Sequence, residues 1–483
     1  MRRDEAYSMV NWYPYPSDLV VRGGRTAHRE DAGAVITSMM VYNYGTSSKL
    51  LVTASTEMYD VTASGTTFPA AAQSSLTANK PWKGVNIATS GGNYIWMANG
   101  ANAPRHWDGS TWTQPTITGV TNTTLIHPVL HNKRIFCIEV NTLKIWYLDT
   151  GAIAGTVNVL DCRQLAGKGG TIVGIGSLTM DGGDGTDDKF VAVTSKGQVL
   201  VWTGLDPASS ATWSLTGVYN IPEPIDNGCL TKLGGDLLIL TKEGILPMSK
   251  AFEYTSPDTM LTSQIQGAML EAAQLYSGNV GWDICHYPKE GALILNVPVA
   301  AGKQLQYVMN LATGAWTLFD GWSGRCFAVM GGALYQGGED DVWKVWTGTA
   351  DNITNASATG DYITASCLMA FNDFGTAAMK DFRMTRATFL ATVTPETLEV
   401  GVAVDYNLAP IASEVTVSGA VGGTWDGAQW DNDPWGGGYA VTTRWVSVLA
   451  VGTVAAPYVK VRSRTAVVRW PASQFLWEVG GMV

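Results

Sequence analysis

The chain has 483 residues, 46% of them hydrophobic, enough to bury a sizeable interior in two or three domains or in one large repeat architecture. Only 15% of the residues are charged, against roughly 25% in a typical soluble domain, and the formal net charge is −10. That balance excludes a nucleic-acid grip, which needs a basic stripe, although an acidic wall still lets a duplex slide past.

The low charge has two readings. One is a polar surface rich in Ser, Thr, Asn and Gly; the other is a surface covered by neighbouring subunits. The N-terminus carries Arg2 and Arg3, but no apolar stretch of signal-peptide type follows them. No run has the length of a membrane span, and Asn296 and Pro298 interrupt the most apolar one. A soluble protein made without export, with no membrane insertion, is expected.

From Lys49 onward, short runs rich in Val, Ile, Leu and Tyr are bounded by turn residues. Each is followed by a second strand that carries a large residue, commonly an aromatic. Leu50–Ala54 precedes Met58–Val61, and Tyr94–Met97 precedes Pro104–Gly109. Arg134–Ile138 precedes Leu143–Tyr147, Phe190–Thr194 precedes Gly197–Trp202, and Asp236–Leu240 precedes Gly244–Pro247. Leu305–Asn310 precedes Thr313–Trp316, and Ala333–Tyr335 precedes Val342–Trp346. Over six steps from Tyr59 to Trp346 the spacing is about 48 residues, the period of a propeller blade, whose sheet must stack on its neighbours to bury both faces. The fold class expected is all-β: a β-propeller of six or seven blades over 35–350, with an irregular sandwich array as the alternative.

Within it, residues 261–277 have helical spacing and Gly278 as a stop, which predicts a helical insertion packed on the propeller. After a polar stretch from Asp351 to Gly360, longer strand-like runs follow: Met384–Thr392, Leu398–Tyr406, Val415–Val417, Trp445–Val451, Tyr458–Ser463 and Val467–Trp470. They predict a β-sandwich-like platform domain over 351–483, with the N-terminal segment 1–34 packed beside it. Six cysteines (137, 162, 229, 285, 326, 367) form no CxxC pair and read as buried thiols. The last three fall at equal intervals, which fits equivalent places in successive repeats or coincidence.

Chemistry-bearing patterns are sparse. Asp181, Asp184, Asp187 and Asp188 lie in a Gly-turned, oxygen-rich stretch that is either a Ca²⁺ loop lacking the closing Glu of an EF-hand or a solvated turn. His127 and His131 have HxxxH spacing, but on a strand they stand about 13 Å apart, too far for one metal ion. There is no GxSxG elbow, phosphate loop or sialidase-type Asp box, and no acid pair stands out. Trp425, Trp430 and Trp435 form an aromatic-rich loop that suits a subunit contact, a carbohydrate platform or rings folded back on their own sandwich. Arg22 and Arg25, with Arg2, Arg3, Arg29, Lys460, Arg462, Arg464 and Arg469, gather basic charge near both ends. They are either solvated strand faces or a docking surface for an acidic neighbour.

Several short stretches in order, Asn11-Trp12-Tyr13-Pro14, Val21-Arg22-Gly23-Gly24, Tyr59-Asp60-Val61-Thr62, Asn99-Gly100, Ile145-Trp146-Tyr147-Leu148 and Asp187-Asp188, continue with Thr194 to Val199, Tyr307 to Asn310, Thr313 to Trp316 and Trp477 to Gly481. Together they resemble the tail nozzle proteins (tail tubular protein B type) of short-tailed bacteriophages. The resemblance implies a propeller with an added β platform, assembled as a ring, typically a homo-hexamer, below the head-to-tail adaptor. DNA would cross that ring only as passing cargo at ejection, and a tail fibre or spike would dock nearby. It implies a structural virion protein of the tail, assembled in the host cytoplasm, with no catalytic residues and no cofactor. The alternative is a propeller that binds or cleaves host surface polysaccharide.

Overall fold

The computed structural model describes residues 5–181, 186–225, 227–253, 256–417 and 438–480. Among the described residues, seven small antiparallel sheets follow one another from residue 25 to residue 345. Blade 1 is Ile36–Tyr44, Ser47–Ala54 and Glu57–Asp60. Blade 2 runs from Lys83–Thr89 to Trp112–Thr113, blade 3 from Leu125–His131 to Asn158–Asp161, and blade 4 from Ile172–Asp181 to Trp213–Asn220. Blade 5 is Leu230–Leu233, Asp236–Thr241 and Gly244–Pro247; blade 6 runs from Asp283–Tyr287 to Trp316–Phe319, and blade 7 from Cys326–Met330 to Val342–Val345. The first strands of consecutive blades touch all the way round, and blade 7 returns to blade 1. The protein is therefore an all-β, closed seven-bladed propeller carrying a second β unit.

Side-chain alternation explains why these strands read as unbroken apolar runs. In Gly92–Ala98, Ile95 and Met97 pack toward blade 1 while Trp96 and Ala98 pack toward blade 3. In Arg134–Glu139, Ile135 and Cys137 face blade 2, and Phe136 and Ile138 face blade 4. In Thr186–Thr194, Phe190 and Ala192 face blade 3, and Val191 and Val193 face blade 5. Successive side chains point to opposite faces, so a sheet stacked on both sides is apolar at every position. Among the polar exceptions, fully buried Asn296 donates to the Gly281 carbonyl at 2.8 Å and accepts from Gln306 at 2.8 Å.

The N-terminal segment divides between the two units. Arg25–Arg29 pairs with Val342–Val345 and forms the outer strand of blade 7, so the start of the chain clasps the end of the ring. Ala6–Val10 pairs in parallel with blade 6 (Val10 with Leu318) and antiparallel with Ile363–Met369, which extends blade 6 into a nine-stranded sheet. Trp12–Pro14 and Leu19–Val21 join Val468–Val479, Lys380–Ala391 and Ala440–Gly452 in a five-stranded sheet. The two sheets face each other across Trp12, Ile363, Phe389, Val400, Val459 and Trp470, forming a β-sandwich.

Other expectations shift in detail. The insertion near 261–277 is a helix over Gln266–Tyr276 between blades 5 and 6, with Met269, Ala272 and Ala273 buried against the propeller. The strand expected at Val415–Val417 falls earlier, at Ile411–Glu414. Cys285 and Cys326 do occupy the first strands of adjacent blades, whereas Cys367 lies in the sandwich, so the equal spacing does not continue the repeat.

The blade stacking generates a test. Phe190 is fully buried between blades 3 and 4 among Phe136, Trp202 and Trp213. Phe190→Ala is expected to cost roughly 3–5 kcal/mol in denaturant unfolding. A loss below about 1 kcal/mol would contradict a packed blade junction there.

Candidate functional site

The propeller meets the sandwich at one guanidinium. Arg22 is fully enclosed, and all five of its N–H groups are used. Nη1 and Nη2 donate to the two Asp351 carboxylate oxygens at 2.9 and 2.6 Å. Nε donates to Asn11 Oδ1 at 2.8 Å, and the remaining two donors go to the Gly23 and Asp320 carbonyls. The rings of Phe319 and Trp322 lie 5.7 and 5.3 Å from its carbon. Asn11 adopts a left-handed conformation (φ 58°) and donates to the Thr364 carbonyl at 2.9 Å. Gly23 and Gly24 allow the approach, because a Cβ on Gly24 would sit 1.8 Å from the Ala350 carbonyl oxygen. Arg25 continues the seam, donating to Asn352 Oδ1 at 2.7 Å and lying 4.4 Å over Trp343; burial pulls it down to about 10, partly offset by the Asp351 carboxylate.

Of the two interface candidates, Arg22 is buried within the chain and Arg25 is half-buried beside it. Desolvating the Arg22 guanidinium requires the bidentate carboxylate and carbonyls that this junction supplies, while Arg25 donates to Asn352 and the Trp322 carbonyl. Arg469 meets Asp18 at 3.4 Å, Lys460 meets Glu399 at 3.4 Å, and Arg464 meets Glu396 at 3.8 Å. The basic charge near the two ends is thus largely paired within the sandwich. Trp425, Trp430, Trp435 and Asp184 lie outside the described residues. The backbones of Asp181, Asp187 and Asp188 belong to the first hairpin of blade 4, with Asp188 opposite Thr179 and Asp187 opposite Met180. Among the described residues no three His, Cys, Asp or Glu side chains are grouped to hold a metal ion.

The propeller axis is crossed by side chains. Lys83 of blade 2 reaches Asp283 of blade 6, on the far side of the ring, with 3.7 Å between the charged atoms. His127 sits at a bulge in the first strand of blade 3 (φ 47°), with its ring against the Gly228 loop before blade 5. Burial and the Lys83 ammonium pull it down to about 3. A junction cavity beside Asp283 has a volume of about 10 Å³, room for one water. His131 points elsewhere, into the aromatic layer between blades 3 and 4. The Asn132 amide donates to the Gly204 carbonyl at 3.0 Å, which fixes its orientation, so it also donates to His131 Nε2 at 3.1 Å. Nδ1 then carries the proton and donates to Ser177 Oγ at 2.8 Å.

One side of the sandwich is unpaired among the described residues, which sequence patterning did not single out. Ala440–Gly452 is 13 residues long and, among the described residues, pairs only with Lys380–Ala391. Val441 is 68% exposed, Trp445 44%, Leu449 74% and Val451 61%, with exposed Thr443 and Ser447 between them. On the same face Leu476 stands beside Met384, and Arg386 lies 4.9 Å over the Trp445 ring. The adjoining edge of the other sheet, Ile411–Glu414, is exposed at every position. The alternation was legible at Trp445–Val451, but which parity faces out depends on the strands beside it.

The sequence matches no family model and no curated protein. Among solved structures, BamB from Moraxella catarrhalis is 13% identical with a TM-score of 0.36, covering 70% of this chain and 94% of that one. YCF48 bound to D1 peptide is 13% identical with a TM-score of 0.39, covering 71% and 97%. A glycoside hydrolase family 43 arabinoxylan arabinofuranohydrolase from Bacillus subtilis is 9% identical with a TM-score of 0.26, covering 99% and 97%. Likeness at this level carries no functional argument.

Two predictions follow from the buried groups. Arg22→Ala strands the Asp351 carboxylate and is expected to destabilise the chain by roughly 3–5 kcal/mol in chemical denaturation; a near-neutral result would contradict the junction. Burial lowers His131 from 6.5 to about 4, partly offset by the Asp188 charge. Unfolding therefore takes up a proton between those values. Stability is full above about pH 6.5 and falls toward pH 4, at up to roughly 1.4 kcal/mol per pH unit from this imidazole. Urea unfolding of His131→Gln should show a shallower acid slope than the parent, and an unchanged slope would exclude a neutral buried imidazole.

Proposed function

We propose that this chain is a structural subunit of a ring-shaped assembly of the tail-nozzle kind, in which copies together surround a conduit. The observation that carries the reading is the edge strand Ala440–Gly452, unpaired on its outer side among the described residues, with Val441, Trp445, Leu449 and Val451 exposed. Monomeric proteins seldom leave a long apolar edge strand uncovered, since its unpaired backbone invites other chains. The occupied axis supports the same reading. With Lys83 and Asp283 meeting across it, the propeller gives no passage to a duplex whose major groove alone is ~12 Å wide, so a conduit needs several copies. The continuous sheet through Ala6–Val10 makes propeller and sandwich one piece, as a load-bearing ring segment requires. In this reading the head-to-tail adaptor and a fibre or spike are the neighbours in the virion tail, and DNA is passing cargo.

The rival is a carbohydrate-active propeller. It has one observation in its favour: half-buried Trp112 stacks on Trp107 with centroids 5.4 Å apart and planes 9° apart, an aromatic shelf at the rim of blade 2. Electron microscopy of the purified protein is expected to show closed rings of several copies. A monomer that persists in assembled particles would end the ring reading, and glycan depolymerisation by the isolated chain, lost in Trp112→Ala, would establish the rival.

A further inference from the structure

We infer that the outer face of the five-stranded sheet, centred on Trp445 and Leu449, docks a second copy of this chain; the inference rests on the ring-subunit reading and names its contact surface. The first argument is size. Lys380–Ala391, Ala440–Gly452 and Val468–Val479 run 12, 13 and 12 residues side by side. At about 3.4 Å per residue and about 4.8 Å between strands, they present roughly 600 Å² in projection, before side-chain relief is counted. A stable contact takes about 800 Å² from each partner, and the exposed Ile411–Glu414 edge lies alongside.

The second argument is charge. A chain at −10 repels its copies over most of its surface, so contact needs a face without that excess. Here Arg383 bridges Asp381 at 3.1 Å and Glu478 at 3.2 Å, while Arg386 is engaged with Trp445 and Gln474. Two carboxylates are thus matched by two guanidinium groups, and exposed Arg444 adds positive charge at the free edge. An otherwise acidic copy meets a face where Val441, Trp445, Leu449, Val451 and Leu476 stand exposed among charges that are already matched.

The third argument is shape. Leu449 sits in a left-handed conformation (φ 43°), and the register slips opposite it between Phe382 and Met384. This bulge turns the leucine outward and hinders strand addition along the second half of the edge. Contact there is through side chains, with Leu449 as the knob and Trp445 beside it, while Val441–Ser447 keeps regular geometry for backbone pairing.

Sedimentation of the full chain, compared with Leu449→Arg and Trp445→Ser, tests this, with Leu205→Arg as the control. Leu205 is 70% exposed on a propeller loop. The parent, Leu449→Arg and Leu205→Arg are expected to melt alike, because Leu449 and Leu205 are 74% and 70% exposed, while Trp445→Ser gives up only the Arg386 contact on the surface. The parent and Leu205→Arg should assemble, and the two sandwich variants should associate roughly 30-fold or more weakly. If all four assemble equally, this face is not the contact and the ring reading stands. If Leu205→Arg alone dissociates, the contact lies on the propeller. If the parent is monomeric at every concentration, both the ring reading and this assignment fall.

Discussion

A single buried guanidinium organises the molecule. Arg22 joins the N-terminal strand, the end of blade 6, the segment after blade 7 and the sandwich, because its donors end on Asn11, Asp320, Gly23 and Asp351. Water could satisfy these groups only at the surface. Buried, they satisfy one another, and removing any member strands the others at low dielectric. The neighbouring glycines serve the same end by letting the chain pass against Trp346 and Ala350. What looked like basic surface in the N-terminal segment is the seam between the two units.

The propeller itself stands on a simpler constraint. Each blade is a small sheet with two apolar faces, and closing the ring is the arrangement that covers both. The N-terminal strand Arg25–Arg29 supplies the last outer strand, so closure couples the two ends of a propeller of some 320 residues in one hydrogen-bonded sheet. Because Ala6–Val10 also extends blade 6 into the sandwich, the clasp and the sandwich are formed from one continuous stretch of chain. Propeller closure and sandwich docking are therefore not independent folding events.

Function is bound up with what this architecture leaves uncovered. The axis is bridged by Lys83 and Asp283, and the blade junctions are filled. Among the described residues, the sandwich continues into the propeller through Ala6–Val10, and Ala440–Gly452 is an edge strand on its other side. Arg22 and Asp351 are buried together in the seam, whereas Val441, Trp445, Leu449 and Val451 stand exposed on the sandwich.

Much of the fold was legible locally. Turn residues at regular spacing, apolar runs such as Leu50–Ala54 and Phe190–Thr194, and the change of texture after Gly348 come from preferences within a few residues, which sequence alone determines. The helix at Gln266–Tyr276 was readable for the same reason. Seven blades rather than six, the division of the N-terminal segment and the burial of Arg22 were decided only by tertiary structure. Arg22 and Asp351 are 329 residues apart, and nothing local to either marks the other as its partner. The open face around Leu449 is likewise a property of which strands stand beside it. Sequence fixes where a strand runs and how its side chains alternate, but only packing against the rest of the chain decides which of its two faces meets water.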